Sequence, residues 1–294
     1  MKKQNKTLQI FLALFFIVLC CLIILPFVVL VSISLSSEKD IAEFGYRVLP
    51  KAIDFGAYRY VFNNPQSIID AYKITIIYSA LGTFVSILVQ AMMAYPLSRY
   101  TLRGRTGISF YLYFTCRFSG GLVPSYILLT QYLHLNNTIW IYILPSMVSV
   151  WNVFMMRTFF QGIPTEIIES MYIDGASEYN IFFKTILTLS KPVIATLSLT
   201  TFLGKWNDWN TSMLYIDNQK LISLQYLLQR IMKNIEILQQ SNNVDISMLM
   251  SASEIPSESA RMAMAVVAAG PALLIFPFFQ KYFVRGLTVG SVKG

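Results

Sequence analysis

Arg117, Lys205, Asp208 and Arg261 are charged residues inside stretches that are otherwise mostly apolar. A charge in such a setting has to face a partner or a wet cavity, because hydrocarbon solvates it poorly. Trp206, Asn207, Asp208 and Trp209 are consecutive. Two indole faces beside an amide and a carboxylate suit a sugar-like molecule, which offers C–H faces and hydroxyls together. Arg117 with Ser119, Gly120 and Gly121 forms the second candidate lining of a path. A structural reading competes with the first group, since Lys205 and Asp208 are spaced i to i+3 and can pair along a helix. Nothing points to covalent chemistry. The single histidine, His134, has no H-E-x-x-H or paired-carboxylate context, and no G-x-x-x-x-G-K-[ST] run cradles nucleotide phosphates. Cys20, Cys21 and Cys116 lie in apolar stretches without disulfide or zinc spacing, and no metal site is expected.

The elements that must position these groups are membrane spans. Hydrophobic residues make up 55% of the 294, charged residues 13%, a balance that excludes both an ordinary soluble domain and a disordered chain. Crossing the hydrocarbon core takes about 20 apolar residues in a helix. Six stretches qualify, at roughly 10–34, 71–97, 108–133, 139–160, 192–215 and 260–284. The expected fold is all-α and integral to the membrane, one transmembrane domain over 1–294. The first stretch follows Lys2, Lys3 and Lys6 and is too long for a cleaved signal, so it reads as a retained anchor.

With the lysine-rich end inside, the inward segments hold twelve basic and four acidic residues, the outward segments eight basic and ten acidic. This is the positive-inside bias and puts both termini in the cytoplasm. The net charge of +8 is then explained by topology and anionic lipid, and no nucleic acid is needed as partner.

The inward loop 161–191 carries an acidic, polar interruption, Glu166 to Ala176. Thr165 is expected as N-cap, with Glu166 and Glu169 early in the helix where negative charge suits the dipole. Gly175 supplies a left-handed turn, Ser177 caps a second helix to Leu189, and Pro192 opens the next span. Such a knob outside the bilayer is a docking surface for a soluble protein. On the outward side, 36–70 is expected to be ordered, with its aromatics against a partner or as an interfacial belt. In the outward loop 216–259, apolar residues from Leu221 to Leu238 recur at helical spacing, followed by a mobile tip at 239–245. Pro26 and Pro96 are placed to kink or end their helices.

These residues carry a family resemblance. Glu169-Ser170-Met171, Asp174-Gly175-Ala176, Ile186-Leu187 and Lys191-Pro192 resemble the EAA loop of bacterial ABC importer permeases. Phe118 to Pro124, Asn136 to Trp140, Met156 to Phe160, Trp206 to Trp209 and Arg285 to Gly294 resemble the oligosaccharide branch, related to the maltose-system inner permeases. The resemblance implies a type I importer permease, working by alternating access beside a second homologous permease, two ATP-binding subunits and an extracellular solute-binding protein. ATP and Mg would sit on the partner ATPase subunits, with no cofactor on this chain. Glu166, Glu169, Asp174, Gly175 and Ala176 would form the coupling surface, and the tail 285–294 would lie near the nucleotide-binding dimer. Ser170 and Met171 replace the family's two alanines. Thr188 stands where proline is usual, which restores an N–H and implies a straighter helix. A secondary transporter is the alternative reading, but Asp208 is the one acid within the six stretches. A membrane enzyme and a structural scaffold explain less of the sequence.

Overall fold

Hydropathy dictates helices here, because only an element that satisfies its own backbone can lie in lipid. The structure, a computed structural model, describes residues 6–63, 65–240 and 258–290, and no strand occurs among them. Lys2 and Lys3, positions 241–245 of the expected tip and residues 291–294 lie outside the described residues. Among the described residues, three helices are long and apolar enough to cross a bilayer unaided: Gln9–Ser34 within α1 (Lys6–Ser34), α4 (Pro65–Ser98) and Glu258–Pro277 within α15 (Glu258–Gly290). Pro26 and Pro96 sit inside unbroken helices. The stretch expected as a tail is helical as far as Gly290.

The other three apolar stretches are interrupted. In 108–133, α5 (Arg105–Arg117) ends at an extended Phe118, and Gly121, at φ +88°, starts α6 (Leu122–Ile127), which runs into a π-helical turn, Leu128–Tyr132. In 139–160, α7 (Trp140–Ile143) gives way near Pro145, and α8 (Val150–Gln161) restarts from Ser149, whose hydroxyl accepts from Asn152 N at 3.4 Å. In 192–215, α12 (Lys191–Trp206) stops before Asp208 and α13 (Asn210–Tyr215) follows. Glycine, proline and side chains that bond their own backbone account for all three breaks.

The fold packs as two compact units, one of Met1–Ile68 with Leu228–Pro271, the other of Ile69–Leu227 with Ala272–Gly294. In the first, α1 is apolar all round and exposed along 9–28. The expected order in 36–70 is present as α2 (Glu38–Phe44), capped by Ser37, and α3 (Gly56–Val61). Glu38 Oε1 accepts from Ser259 N at 2.8 Å and from its hydroxyl at 2.9 Å, which caps α15. Arg261 is ion-paired to Glu236 and Glu258, at 3.2 and 3.4 Å. This charge therefore answers to neighbouring carboxylates.

In the second unit, tails as apolar as leucine give helices little reason to associate through burial alone, so close backbone approach and interhelical hydrogen bonds matter more. Along α4, Thr75, Ser79, Thr83, Ser86 and Gln90 recur at three- and four-residue spacing and are all buried. Gln90 Nε2 donates to Met147 O at 2.8 Å, and Asn152 Nδ2 donates to Gln90 Oε1 and Thr201 Oγ1 at 3.1 and 3.2 Å. One apolar cluster joins Ala91 and Ala94 of α4 to Val153 and Met156 of α8 and to Ile181 and Ile186. Another joins Ile74 and Tyr78 to Ile141, Tyr142 and Ile222. The amphipathic helix expected after Leu221 is present as α14 (Leu224–Gln240), which belongs to this unit as far as Leu227 and to the first from Leu228 on, with Leu224, Leu228 and Ile235 buried.

Candidate functional site

The break between α12 and α13 opens a cavity of about 760 Å³ lined by Asn207, Asp208, Trp209 and Asn210, by Trp151 and Asn152 of α8, and by Thr196, Thr200 and Lys205 of α12. Irregular backbone at membrane depth is tolerated where it lines such a space. The walls combine two indoles, amides and hydroxyls. Trp206 differs from its neighbours in the motif, being buried and stacked on Phe202 with ring centroids 5.9 Å apart, so it supports the wall from behind. The hydroxyl and amide face was missed in the sequence, although Thr196, Thr200 and Gly204 repeat every four residues and so line up along one side of a helix.

Lys205 and Asp208 do not form the helical ion pair of the competing structural reading. The helix ends at Trp206, where Asn207 takes over as C-cap, so i to i+3 geometry no longer applies. Lys205 Nζ instead donates to Ser146 Oγ at 2.5 Å and to Tyr142 O at 3.3 Å. Its backbone carbonyl accepts from Tyr78 OH at 3.0 Å, and the Tyr78 ring lies flat on Tyr142, 4.2 Å between centroids. The Asp208 carboxylate accepts from Thr211 N at 3.0 Å and so holds the first turn of α13. An ammonium has three protons to donate, and Lys205 shares the cavity wall with its partner Ser146.

Arg117, Ser119, Gly120 and Gly121 are not brought to this cavity. They lie exposed at the break between α5 and α6, where Arg117 Nε donates to Tyr113 OH at 3.3 Å and Ser119 Oγ accepts from Gly121 N at 3.3 Å.

The acidic knob is built as a helix, a Schellman turn and a second helix. α9 (Thr165–Ile173) begins with Thr165 already inside it. Pro164, which has no capping side chain, holds the N-cap position expected of Thr165. Gly175, at φ +75°, donates to Tyr172 O at 3.0 Å and Ala176 donates to Met171 O at 2.9 Å, which satisfies the last carbonyls of α9. Ser177 caps the second helix as expected, its hydroxyl accepting from Asn180 N at 3.4 Å. That helix comprises α10 (Glu178–Asn180), a π-helical stretch Ile181–Ile186 and α11 (Leu187–Leu189). It meets α12 at a bend of 79° about Ser190. Ile168 anchors α9 in the core, whereas Glu166, Glu169 and Asp174 are exposed and Ile173 is 87% exposed. Ile173 thus stands exposed next to Asp174, at the end of a helix that also exposes Glu166 and Glu169.

No protein-family model matches the sequence. The chain is 34% identical over 291 residues to the polygalacturonan/rhamnogalacturonan transport system permease protein YtcP of Bacillus subtilis, an alignment spanning 99% of this chain and 100% of that one. It is 29% identical to the arabinooligosaccharides transport system permease protein AraQ of the same organism, over 99% of this chain and 98% of AraQ. Among solved structures, a bacterial ABC transporter involved in the import of the acidic polysaccharide alginate superposes with a TM-score of 0.77 at 25% identity, covering 96% of this chain and 99% of that one. Alignment from end to end with a permease at this identity, on a helical fold with membrane-spanning segments and no phosphate-binding loop, leads to one conclusion: the chain belongs to the permease subunits of carbohydrate ABC importers, integral membrane components that leave ATP hydrolysis to a separate subunit.

Proposed function

We propose that this permease imports oligosaccharides bearing carboxylates, as one of two homologous permeases assembled with two ATP-binding subunits and an extracellular solute-binding protein. The observation that carries the reading is the cavity at the α12–α13 break, where Trp151 and Trp209 stand beside amides and hydroxyls, and where the largely buried Lys205, held by Ser146, shares the wall with the Asp208 carboxylate. Indoles stack on the C–H faces of sugar rings, the polar groups exchange hydrogen bonds with hydroxyls, and the ammonium attracts a uronate. YtcP and the alginate importer carry names that specify acidic polysaccharides, whereas AraQ is named for arabinooligosaccharides.

In this reading the chain crosses the membrane six times, three of the crossings as broken helices, with both termini cytoplasmic. Glu166, Glu169, Asp174, Gly175 and Ala176 seat α9 in a cleft of one ATPase subunit. ATP and Mg bind to the partner ATPase subunits. Closure of the nucleotide-binding pair pushes α9, and the spans exchange an outward-open for an inward-open arrangement. The test is uptake by the complete importer in proteoliposomes with labelled oligogalacturonate and arabinooligosaccharide supplied in turn. Preferential, ATP-dependent uptake of the acidic sugar supports the proposal; equal uptake of both would overturn the assigned charge preference, and uptake without ATP would overturn the coupling.

A further inference from the structure

Outside the coupling surface, one carboxylate gathers groups from two directions. Glu178 is the first residue of α10, just past the Gly175 turn. Its Oε1 accepts from the phenol of Tyr172, on α9, and its Oε2 accepts from the phenol of Tyr95, near the C-terminal end of α4. Arg99, the first residue past the end of α4, completes the cluster: its guanidinium lies 5.2 Å from the Tyr95 ring centroid, and Nη2 is 3.5 Å from the Tyr172 hydroxyl. Tyr95 is buried and its ring packs on Phe182 of the π-helical stretch, at 5.4 Å.

Hydrogen bonds to an ionised carboxylate are roughly twice as strong as neutral ones, and two of them from different elements fix a carboxylate in place. Glu178 therefore ties the far end of α9 to α4 across the turn. Without that tie, displacement of α9 is free to dissipate in the π-helical stretch and the bend at Ser190, the two irregular points that follow. We propose that Glu178 is a positioning residue for energy coupling, a clamp that makes α9, the Gly175 turn and the C-terminal end of α4 move as one lever. The proposal rests on reading α9 as the surface that meets the ATPase.

The test uses the complete importer in proteoliposomes and reads the ratio of ATP hydrolysis with and without its binding protein. Tyr95→Phe and Tyr172→Phe each remove one hydroxyl, and Glu178→Leu removes the acceptor for both. A several-fold loss of stimulation is expected in all three, and adding Tyr95→Phe to Glu178→Leu should cost nothing more. Where Glu178→Leu fails to assemble, Tyr95→Phe carries the test, since it changes one oxygen atom. Wild-type stimulation in the tyrosine variants would overturn the clamp. A photo-crosslinking side chain at Glu169 separates the two ideas. Capture of the ATPase subunit together with unchanged stimulation sinks the clamp alone, whereas no capture in the otherwise unmodified importer sinks the coupling reading beneath it.

Discussion

A Cβ on Gly82 would stand 3.1 Å from both Cδ and Cε of Lys205. The glycine of α4 is thus the space into which the lysine stem is laid, and that path lets Nζ reach Ser146 and Tyr142. Gly82→Ala asks the flexible stem to give by a few tenths of an ångström and is expected to be mild. Gly82→Val drives branched carbons into the stem and is expected to swing Lys205 from its partners. Uptake kinetics of the assembled importer on oligogalacturonate check this: the valine variant should lose transport efficiency while the protein still inserts, and the alanine variant should stay near wild type.

Lys205→Met keeps the stem and removes the charge. If Lys205 meets a substrate carboxylate, the lost interaction is that of one charged hydrogen bond, about 1.5–3 kcal/mol, which corresponds to roughly a 10- to 100-fold loss in transport efficiency. A neutral arabinooligosaccharide should be affected far less. Competition uptake of the two sugars reads the change in preference directly, and a parallel loss for both would assign Lys205 to the architecture of the break instead.

Much of this arrangement is legible in the sequence because it is local. Gly175 reads as a left-handed turn, Ser177 as a cap and the repeat after Leu221 as an amphipathic helix, and each depends on neighbours within a few residues. The breaks at Gly121, Pro145 and Asn207 are lost in a window of about 20 residues that averages hydropathy over them. The alternative Lys205–Asp208 pair is absent because α12 ends at Trp206, and spacing implies contact only while the helix continues. Tyr95 and Glu178 are 83 positions apart, and no periodicity in one chain announces such a meeting.

The clamp also sets a pH window. Burial pushes the Glu178 carboxyl upward, but hydrogen bonds from Tyr172 and Tyr95 and the charge of Arg99 outweigh it, leaving the group below its ordinary value of 4.5. A depressed carboxyl contributes stability that is fully present above the ordinary value and is lost as pH falls through the lower one. Tyr172 shifts the other way, above its ordinary 10.0, chiefly through its bond to Glu178, and its contribution is present below 10.0 and lost as pH rises through the higher value. Hydrogen exchange of 165–178, corrected for intrinsic rates, should show protection flat across neutral pH with a loss at each extreme, and Glu178→Gln should remove the acid limb.

Gly175 separates backbone strain from crowding. Nothing lies within 4 Å of a Cβ placed there, so a side chain meets open space, yet φ is +75°. A non-glycine residue in this left-handed region costs roughly 1–2 kcal/mol, while asparagine tolerates it better by bonding locally. Gly175→Val is therefore expected to insert normally, because strain at one loop position outside the spans leaves their packing untouched, but to reorient α10 relative to α9 and abolish binding-protein-stimulated ATP hydrolysis. Gly175→Asn should keep most of it. Stimulation measured on both variants at equal complex yield decides the point: activity in the valine variant would mean that the turn angle does not set the coupling geometry, and failure of both would mean that even the hydrogen at this position is needed against the ATPase surface.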